Sequence, residues 1–426
     1  MNNSQTAFKV REQLGRFLGI FSPHFSKPVT DFIGDMLYGI QAARDIKLSC
    51  IGRSLEEEIS LKKTEDRLCR NLKNPDIGKV VSECVAEESA QHISKDTLII
   101  IDPTDIQKLY AKKMPFLGKV WDGSQSKVGS NLGYNCCFAI ACSSGGRRVI
   151  PLHLRLWSCN APEYKSINEE IFQTVETVRK GAGNRGIYVF DRGGDGMNIY
   201  NMFLDGGLRF IVRMIGNRNL IWNKKPRLAE QLADKCKMLY IDTIRHETPD
   251  GEKVYELQYG CIKVTLPERP NVSLRMVVVK GLGSRPMLLL TNLAETSSRK
   301  ALWQVVEGYL SRWRVEDTIR WIKQSYRLED IRLLNYTRLQ NMMALLLAAA
   351  YFASTWIGGT LRRSILVQNI TCMSKRLFGV AEFHYYAIAD GLARLFNRHG
   401  SWQGAPQIYT YAKSPQLNLP LSFDSA

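Results

Sequence analysis

No apolar run in this sequence is long enough to cross a bilayer. The most apolar stretch, MMALLLAAAYFASTWI at 342–357, falls short of the roughly 20 residues a spanning helix needs and reads as a buried core helix. The opening MNNSQTAFKVREQLG lacks the apolar segment of a secretory leader, so a reducing cytoplasm is the expected compartment. Ten cysteines are present, but they form no C-x-x-C pair and no Cys/His cluster of zinc spacing. Cys136 and Cys137 are adjacent in an apparent strand, where a mutual disulfide is not expected. There is no P-loop, no H-E-x-x-H and no G-x-S-x-G, which removes the usual nucleotide, zinc-peptidase and serine-hydrolase readings. GAGNRG at 181–186 satisfies G-x-G-x-x-G, yet it follows a helix and opens a strand, the reverse of a dinucleotide fingerprint. The six histidines are scattered, and His153, inside a strand, reads as a hydrogen-bonded sheet residue rather than a ligand.

Acids are also short. Against 58 Lys and Arg stand 41 Asp and Glu, a formal charge of +17 and a pI near 9.4. A polyanionic partner follows, and nucleic acid comes before a membrane surface because nothing anchors the chain. The excess is uneven: residues 1–95 carry 14 bases and 13 acids, whereas residues 96–426 carry 44 and 28. The basicity therefore sits with the body of the chain and not in an attached arm.

Along the chain the texture changes several times. Residues 1–92 read as helical, with DIKLSCIGRSL and SLKKTEDRLCRNL as short amphipathic segments. In the second, Lys62, Lys63, Arg67 and Arg70 would face a phosphate backbone while Leu61, Leu68 and Leu72 face a core; a helix-turn-helix and a plain bundle both fit. From 93 to 212 the pattern is α/β. TLIIID runs to Asp102, NCCFAIACSS and RRVIPLHLRLWS read as strands joined through Gly145-Gly146, a helix covers about 163–180, and GIYVFD ends in Asp191. Apolar strands without alternation imply a mixed sheet covered on both faces. Residues 213–283 turn to short alternating strands with turns such as Pro249-Asp250-Gly251, a basic β insertion. Residues 284–355 return to a core strand, RPMLLLTNL, and a long helix, and 356–426 read as a C-terminal helical region.

That long helix carries YLSRWRVEDTIRWIK at 309–323. At about 100° per residue, Tyr309, Arg312, Glu316 and Lys323 fall within about 60° of one another, with Val315, Ile319 and Ile322 as the adjoining apolar stripe. A solvated face held by an Arg312–Glu316 pair is the plain reading. Set beside the other acids it gains a second one. Asp102 and Asp191 each end an apolar strand; if the strands are neighbours and the helix covers them, three carboxylates converge, and they repel unless a cation joins them. Magnesium suits such oxygen donors, with manganese as a substitute, and two ions would serve in-line phosphoryl transfer. Tyr309, Arg312 and Lys323 would then hold the phosphodiester backbone, as would Arg320 and Arg192 beside the acids.

The order Asp102, Asp191, Glu316, with Tyr309-x2-Arg312-x3-Glu316-x6-Lys323 around the last acid, resembles the DDE transposases of the IS4 family and their Y-R-E-K signature. DPTDIQKLYAKKM, and the DGS at 122–124, resemble the stretch after that family's first Asp. The resemblance covers roughly 97–350. It implies an RNase H-like core interrupted by a β-strand insertion domain and preceded by a helical DNA-binding region. The activity implied is cut-and-paste transposition: metal-dependent cleavage at terminal inverted repeats, then strand transfer into target DNA by a homodimer on paired ends, in a bacterial cytoplasm and at the nucleoid. A non-catalytic repressor and a structure-specific nuclease are the alternatives. Two features depart from some relatives. No acid follows Arg192 directly, and Met287 stands where an aromatic stacks on an unpaired base; Trp222 is another candidate for stacking.

Overall fold

The structure is a computed structural model that describes residues 2–108, 110–120, 131–143, 149–248, 251–293, 298–359, 364–374 and 384–399. Gly145-Gly146, the DGS at 122–124 and Pro249-Asp250 lie outside these residues.

Five helices open the chain: α1 (Asn3–Leu18), α2 (Lys27–Ala43), α3 (Leu48–Leu55), α4 (Leu61–Asn71) and α5 (Asp76–Ser89). Their starts are written in the sequence. Asn2 and Gln5 form a reciprocal capping box on α1, and Pro28 sits in the first turn of α2, where no intrahelical N–H is needed. There follow β1 (Leu98–Gln107), β2 (Gly118–Lys119), β3 (Leu132–Cys142), β4 (Val149–Trp157), α6 (Ile167–Ala182), β5 (Ile187–Phe190), α7 (Met197–Asp205) and β6 (Arg209–Arg213). Next come β7 (Asn219–Trp222), β8 (Lys225–Leu228), α8 (Ala229–Lys235), β9 (Tyr240–Thr248), β10 (Gly251–Leu266), β11 (Arg269–Lys280) and β12 (Met287–Thr291). The last helices are α9 (Arg299–Leu310), α10 (Trp313–Ser325), α11 (Tyr336–Tyr351), α12 (Ser364–Met373) and α13 (His384–His399).

All twelve strands join one mixed sheet in the order β2-β3-β1-β5-β6-β12-β11-β10-β7-β8, with β4 also on β3 and β9 on β10. β1, β5 and β6 run parallel, and the other pairings are antiparallel. β5 and β12 are buried at every position, as their unbroken apolar runs require of strands covered on both faces. The strands of 213–283 extend this sheet, because β11 pairs in register with β12 from Arg275–Thr291 to Val279–Met287. GAGNRG serves the turn between α6 and β5: Gly183 (φ 62°) ends the helix, and Gly186 (φ 92°) lies where a Cβ would strike Ile99.

Three expectations are corrected. β1 does not stop at Asp102 but runs on to Gln107, because β3 pairs with it along its whole length. The long helix is two. Arg312 N–H bonds to the Tyr309 carbonyl at 2.9 Å in a tight three-residue turn, and the Ser311 hydroxyl back-bonds to the Glu307 carbonyl at 2.8 Å, a contact that bends helices. His153, buried in β4, has no hydrogen-bond partner at either ring nitrogen among the described residues, and burial first, then Arg155, pulls its pKa down to about 3.

The stretch at 342–357 is a core helix: α11 is buried from Asn341 through Tyr351 and continues as a π-helical turn, Phe352–Ile357. The N-terminal helices close on it. Buried Asn341 donates to the carbonyls of Leu72 (2.9 Å) and Asn74 (2.6 Å) and accepts from Gly78 N–H (2.8 Å), and Gln41 donates to the Ala349 carbonyl at 2.6 Å. Among the described residues no helix is long and apolar enough to cross a membrane.

Candidate active site

Strand register decides which face the acids share. Leu98 of β1 pairs with Ile187 of β5, and Ile187 with Arg209 of β6, so 98, 100 and 102 lie on the same face as 187, 189 and 191, and as 209, 211 and 213. A Cβ built on Gly308 would meet Leu98 and Ile211 at 3.2 Å, which places α9 on that face. Tyr188, Phe190 and Phe210 pack on Phe203 of α7 instead. Parity thus turns Asp102, Asp191 and Arg213 toward α9 and the turn that follows it.

At that turn Arg312 meets all three acids. Its guanidinium lies 2.7 Å from Glu316 Oε1, 3.7 Å from Asp102 Oδ1 and 3.9 Å from Asp191 Oδ2. The buried Tyr309 hydroxyl donates to Asp191 Oδ1 at 2.8 Å. The i, i+4 pair of the plain reading is therefore present, and the same guanidinium also bridges two strand-borne acids.

The charges differ in setting. Burial pushes the Asp102 carboxyl up to about 6; Arg312 opposes this, and the negative charges of Glu316 and Asp191 add to it. At Asp191 burial again works upward. There the Arg192 backbone N–H, the Tyr309 hydroxyl, Arg312 and Arg213 outweigh it and hold the carboxyl below the usual range. Burial would lower the pKa of Arg312, but Asp191, Tyr309 and Glu316 keep it raised. Carboxylate oxygens are the donors a hard divalent cation takes, and mutual repulsion is what such an ion relieves. In this arrangement the guanidinium lies among them, and among the described residues no three His, Cys, Asp or Glu side chains stand close enough to cage a metal.

An open cleft of about 470 Å³ is lined by Asp102, Thr104, Glu316, Arg320, Lys323 and Glu329. Lys323 donates to the Asp105 carbonyl at 2.7 Å and lies 3.3 Å from Glu329, so its ammonium is already engaged. Arg320 is exposed on the cleft and 3.3 Å from Asp317. Arg192 is exposed in the 3-10 turn after Asp191.

The cations of α4 lie elsewhere, on a helix packed against α2 and α3. Arg67 departs from its expected outward role: its guanidinium is held by Asp35 at 2.8 Å and by Glu57. Lys62 pairs with Asp66 at 2.8 Å, and Lys63 is exposed. Met287 is buried at the start of β12, and Lys235 lies 5.5 Å over the half-buried Trp222 ring.

Sequence reasoning missed two residues. Arg213 lies 3.8 Å from Asp191 and donates to the Tyr309 hydroxyl at 3.4 Å. Its signal was an apolar run, FIVR, ending in a cation one parallel strand from Asp191. Asp195 turns away from the acids: its fully buried carboxylate accepts from Ile215 N–H (2.7 Å), the Tyr200 hydroxyl (2.8 Å) and Arg218, tying the loop after β5 to the start of the insertion.

Fold and site together define a mixed α/β protein whose sheet presents an acid-and-arginine centre on one face. The family described as the transposase DDE domain matches residues 93–352, more than half of the chain, and the protein belongs to that family. No curated protein matches the chain. Among solved structures, that of a piggyBac transposase in a synaptic complex with hairpin DNA is similar at 11% identity and a TM-score of 0.43, over 93% of this chain and 80% of that one.

Proposed function

We propose that the protein is a cut-and-paste DNA transposase of the IS4 group, which cleaves double-stranded DNA at terminal inverted repeats and joins the freed ends to target DNA. The observation that carries this reading is the meeting of Asp102, Asp191 and Glu316, from two parallel strands and a helix, around one guanidinium, with Asp102 and Glu316 lining an open cleft. The order β4-β3-β1-β5-β6, antiparallel then parallel, supports an RNase H-like core.

Asp102, Asp191 and Glu316, which here share a guanidinium and do not cage an ion, are the residues that would hold divalent ions once Arg312 is displaced, two per site with Mg2+ as the natural choice, and the ions would supply an activated oxygen nucleophile and charge for the leaving oxygen. Arg312 would give up its acids and donate to two oxygens of a phosphate in bidentate fashion. Tyr309, braced by Arg213, orients Asp191. Lys323, Arg320 and Arg192 line the path of the backbone. Two ends are paired by two copies of the chain.

The substrate is found by reading the DNA that flanks the gene for inverted repeats. With that duplex and Mg2+ the protein is expected to cut at the repeat end and to transfer the end into a plasmid. Asp102→Ala, Asp191→Ala and Glu316→Ala are expected to bind the duplex as before and to lose cutting by at least three orders of magnitude, about 4 kcal/mol of barrier. Undiminished cutting by any of the three overturns the assignment. Cutting without transfer points to a nuclease on the same fold.

A further inference from the structure

The acid-lined cleft continues into a second hollow, and Glu329 lines both. This hollow, of about 760 Å³, is walled by Lys108, Lys112, Lys113 and Arg332, with Tyr110 beside them. Its two acids are already matched, Glu329 by Lys323 at 3.3 Å and Asp330 by Lys47 at 2.9 Å. Lys112, Lys113 and Arg332 are exposed and make no ion pair among the described residues, so the hollow presents unspent positive charge.

Tyr110 is 93% exposed, an aromatic ring held in water with no ring neighbour among the described residues. The segment after it is nevertheless fastened. The Tyr134 hydroxyl donates to the Pro115 carbonyl (2.5 Å), the Ser158 hydroxyl to that of Phe116 and the Asn160 amide to that of Leu117 (2.6 Å). Behind Tyr110, Lys108 N–H is bonded to Leu132 at 2.7 Å, and its buried ammonium donates to the Glu329 carbonyl. A bare aromatic between anchored backbone on both sides, flanked by free cations, is the composition of a surface that stacks a base and holds its phosphates.

We propose that this hollow receives a single-stranded DNA end, with the Tyr110 ring stacked on an unpaired base and Lys112, Lys113 and Arg332 on the adjoining phosphates. The proposal rests on the transposase reading, since cutting beside Asp102 and Glu316 releases a strand end next to this hollow. Inside a duplex each base face is covered by its stacked neighbours and only the terminal pair is bare, whereas every base of a single strand has an open face to offer Tyr110, so the aromatic favours an unpaired end.

The test uses the full chain without divalent metal and two labelled probes: a flush-ended duplex, and the same duplex extended by a short single strand carrying 2-aminopurine. The wild type is expected to bind the extended probe more tightly and to quench its emission on binding. Tyr110→Ala is expected to weaken the extended probe about ten-fold, to leave the flush duplex unchanged and to abolish the quench. Tyr110→Phe keeps all three properties. Because the ring is exposed, both variants fold as the parent does. Equal affinity for the two probes, or a Tyr110→Ala loss that is absent or the same on both, overturns the proposal while flush-duplex binding stands. Absence of flush-duplex binding overturns it together with the reading beneath it.

Discussion

Asp102 titrates upward in the folded chain, to about 6 from 3.8, through burial first and the charges of Glu316 and Asp191 after it, against the pull of Arg312. Between those two values the folded state binds the extra proton, so stability falls as pH rises through this window, and the carboxylate opposes folding at every pH above it. Asp102→Asn removes that opposition. The melting temperature of the metal-free variant at pH 7 is expected to rise, by about 1–3 kcal/mol in stability, while cutting is lost; a lower melting temperature contradicts the placement of this acid. His153 runs the other way. With its pKa down at about 3, the unfolded chain binds the extra proton between there and the ordinary 6.5, and stability is lost as pH falls below about 6.5. Urea midpoints of the wild type should drop over that window by at most about 1.4 kcal/mol per pH unit relative to His153→Leu, and parallel curves exclude His153 as the source.

Between elements, the hydrogen bonds among the described residues that join the ends of α4 and α5 to α11 converge on Asn341, within an extensive α5–α11 packing. Asn341→Leu leaves the Leu72 and Asn74 carbonyls and Gly78 N–H without their partner in a buried seam, a loss of about 2–4 kcal/mol. A single melting transition, shifted down, is expected by calorimetry; a separate early transition for the N-terminal helices contradicts their integration with the sheet. The sequence made the elements visible where one residue's chemistry decides them, as with the apolar runs that became β5 and β12, or Pro28 at the start of α2. It misled where a distant partner decides. Pro103 looked like the end of β1, but past Ile100 the strand keeps a neighbour only on the β3 side, where a residue without N–H is tolerated. The turn at Ser311 and Arg312 has no Pro or Gly to mark it, so a wheel drawn through it sees one helix. Asp102 and Asp191 were legible as candidates because two apolar runs end at or pass an acid, whereas their common face rests on the β1–β5 register. Arg213 was not, since its approach to Asp191 depends on β5 and β6 being parallel neighbours. Nor could composition reveal that Arg67 is consumed by Asp35 and Glu57.

For the molecule as a whole, that last point separates charge from available charge. The net +16 of residues 96–426 against +1 for 1–95 is a count of formal charge, and the cations that matter to a polyanion are those not already paired inside the fold. Each cation that neutralises a phosphate contributes about 0.9 to the slope of log K against log salt on duplex DNA, and a cation held by a carboxylate contributes less. Arg192 is exposed beside Asp191 with no ion pair among the described residues, whereas Lys62 is held by Asp66. Arg192→Ala is therefore expected to flatten the salt dependence of binding to the repeat duplex by about one unit of slope, and Lys62→Ala to leave it nearly unchanged. Titrations of both variants over a series of salt concentrations give the two slopes directly. The opposite ranking would mean that α4 lies against the phosphate backbone and the turn after Asp191 does not.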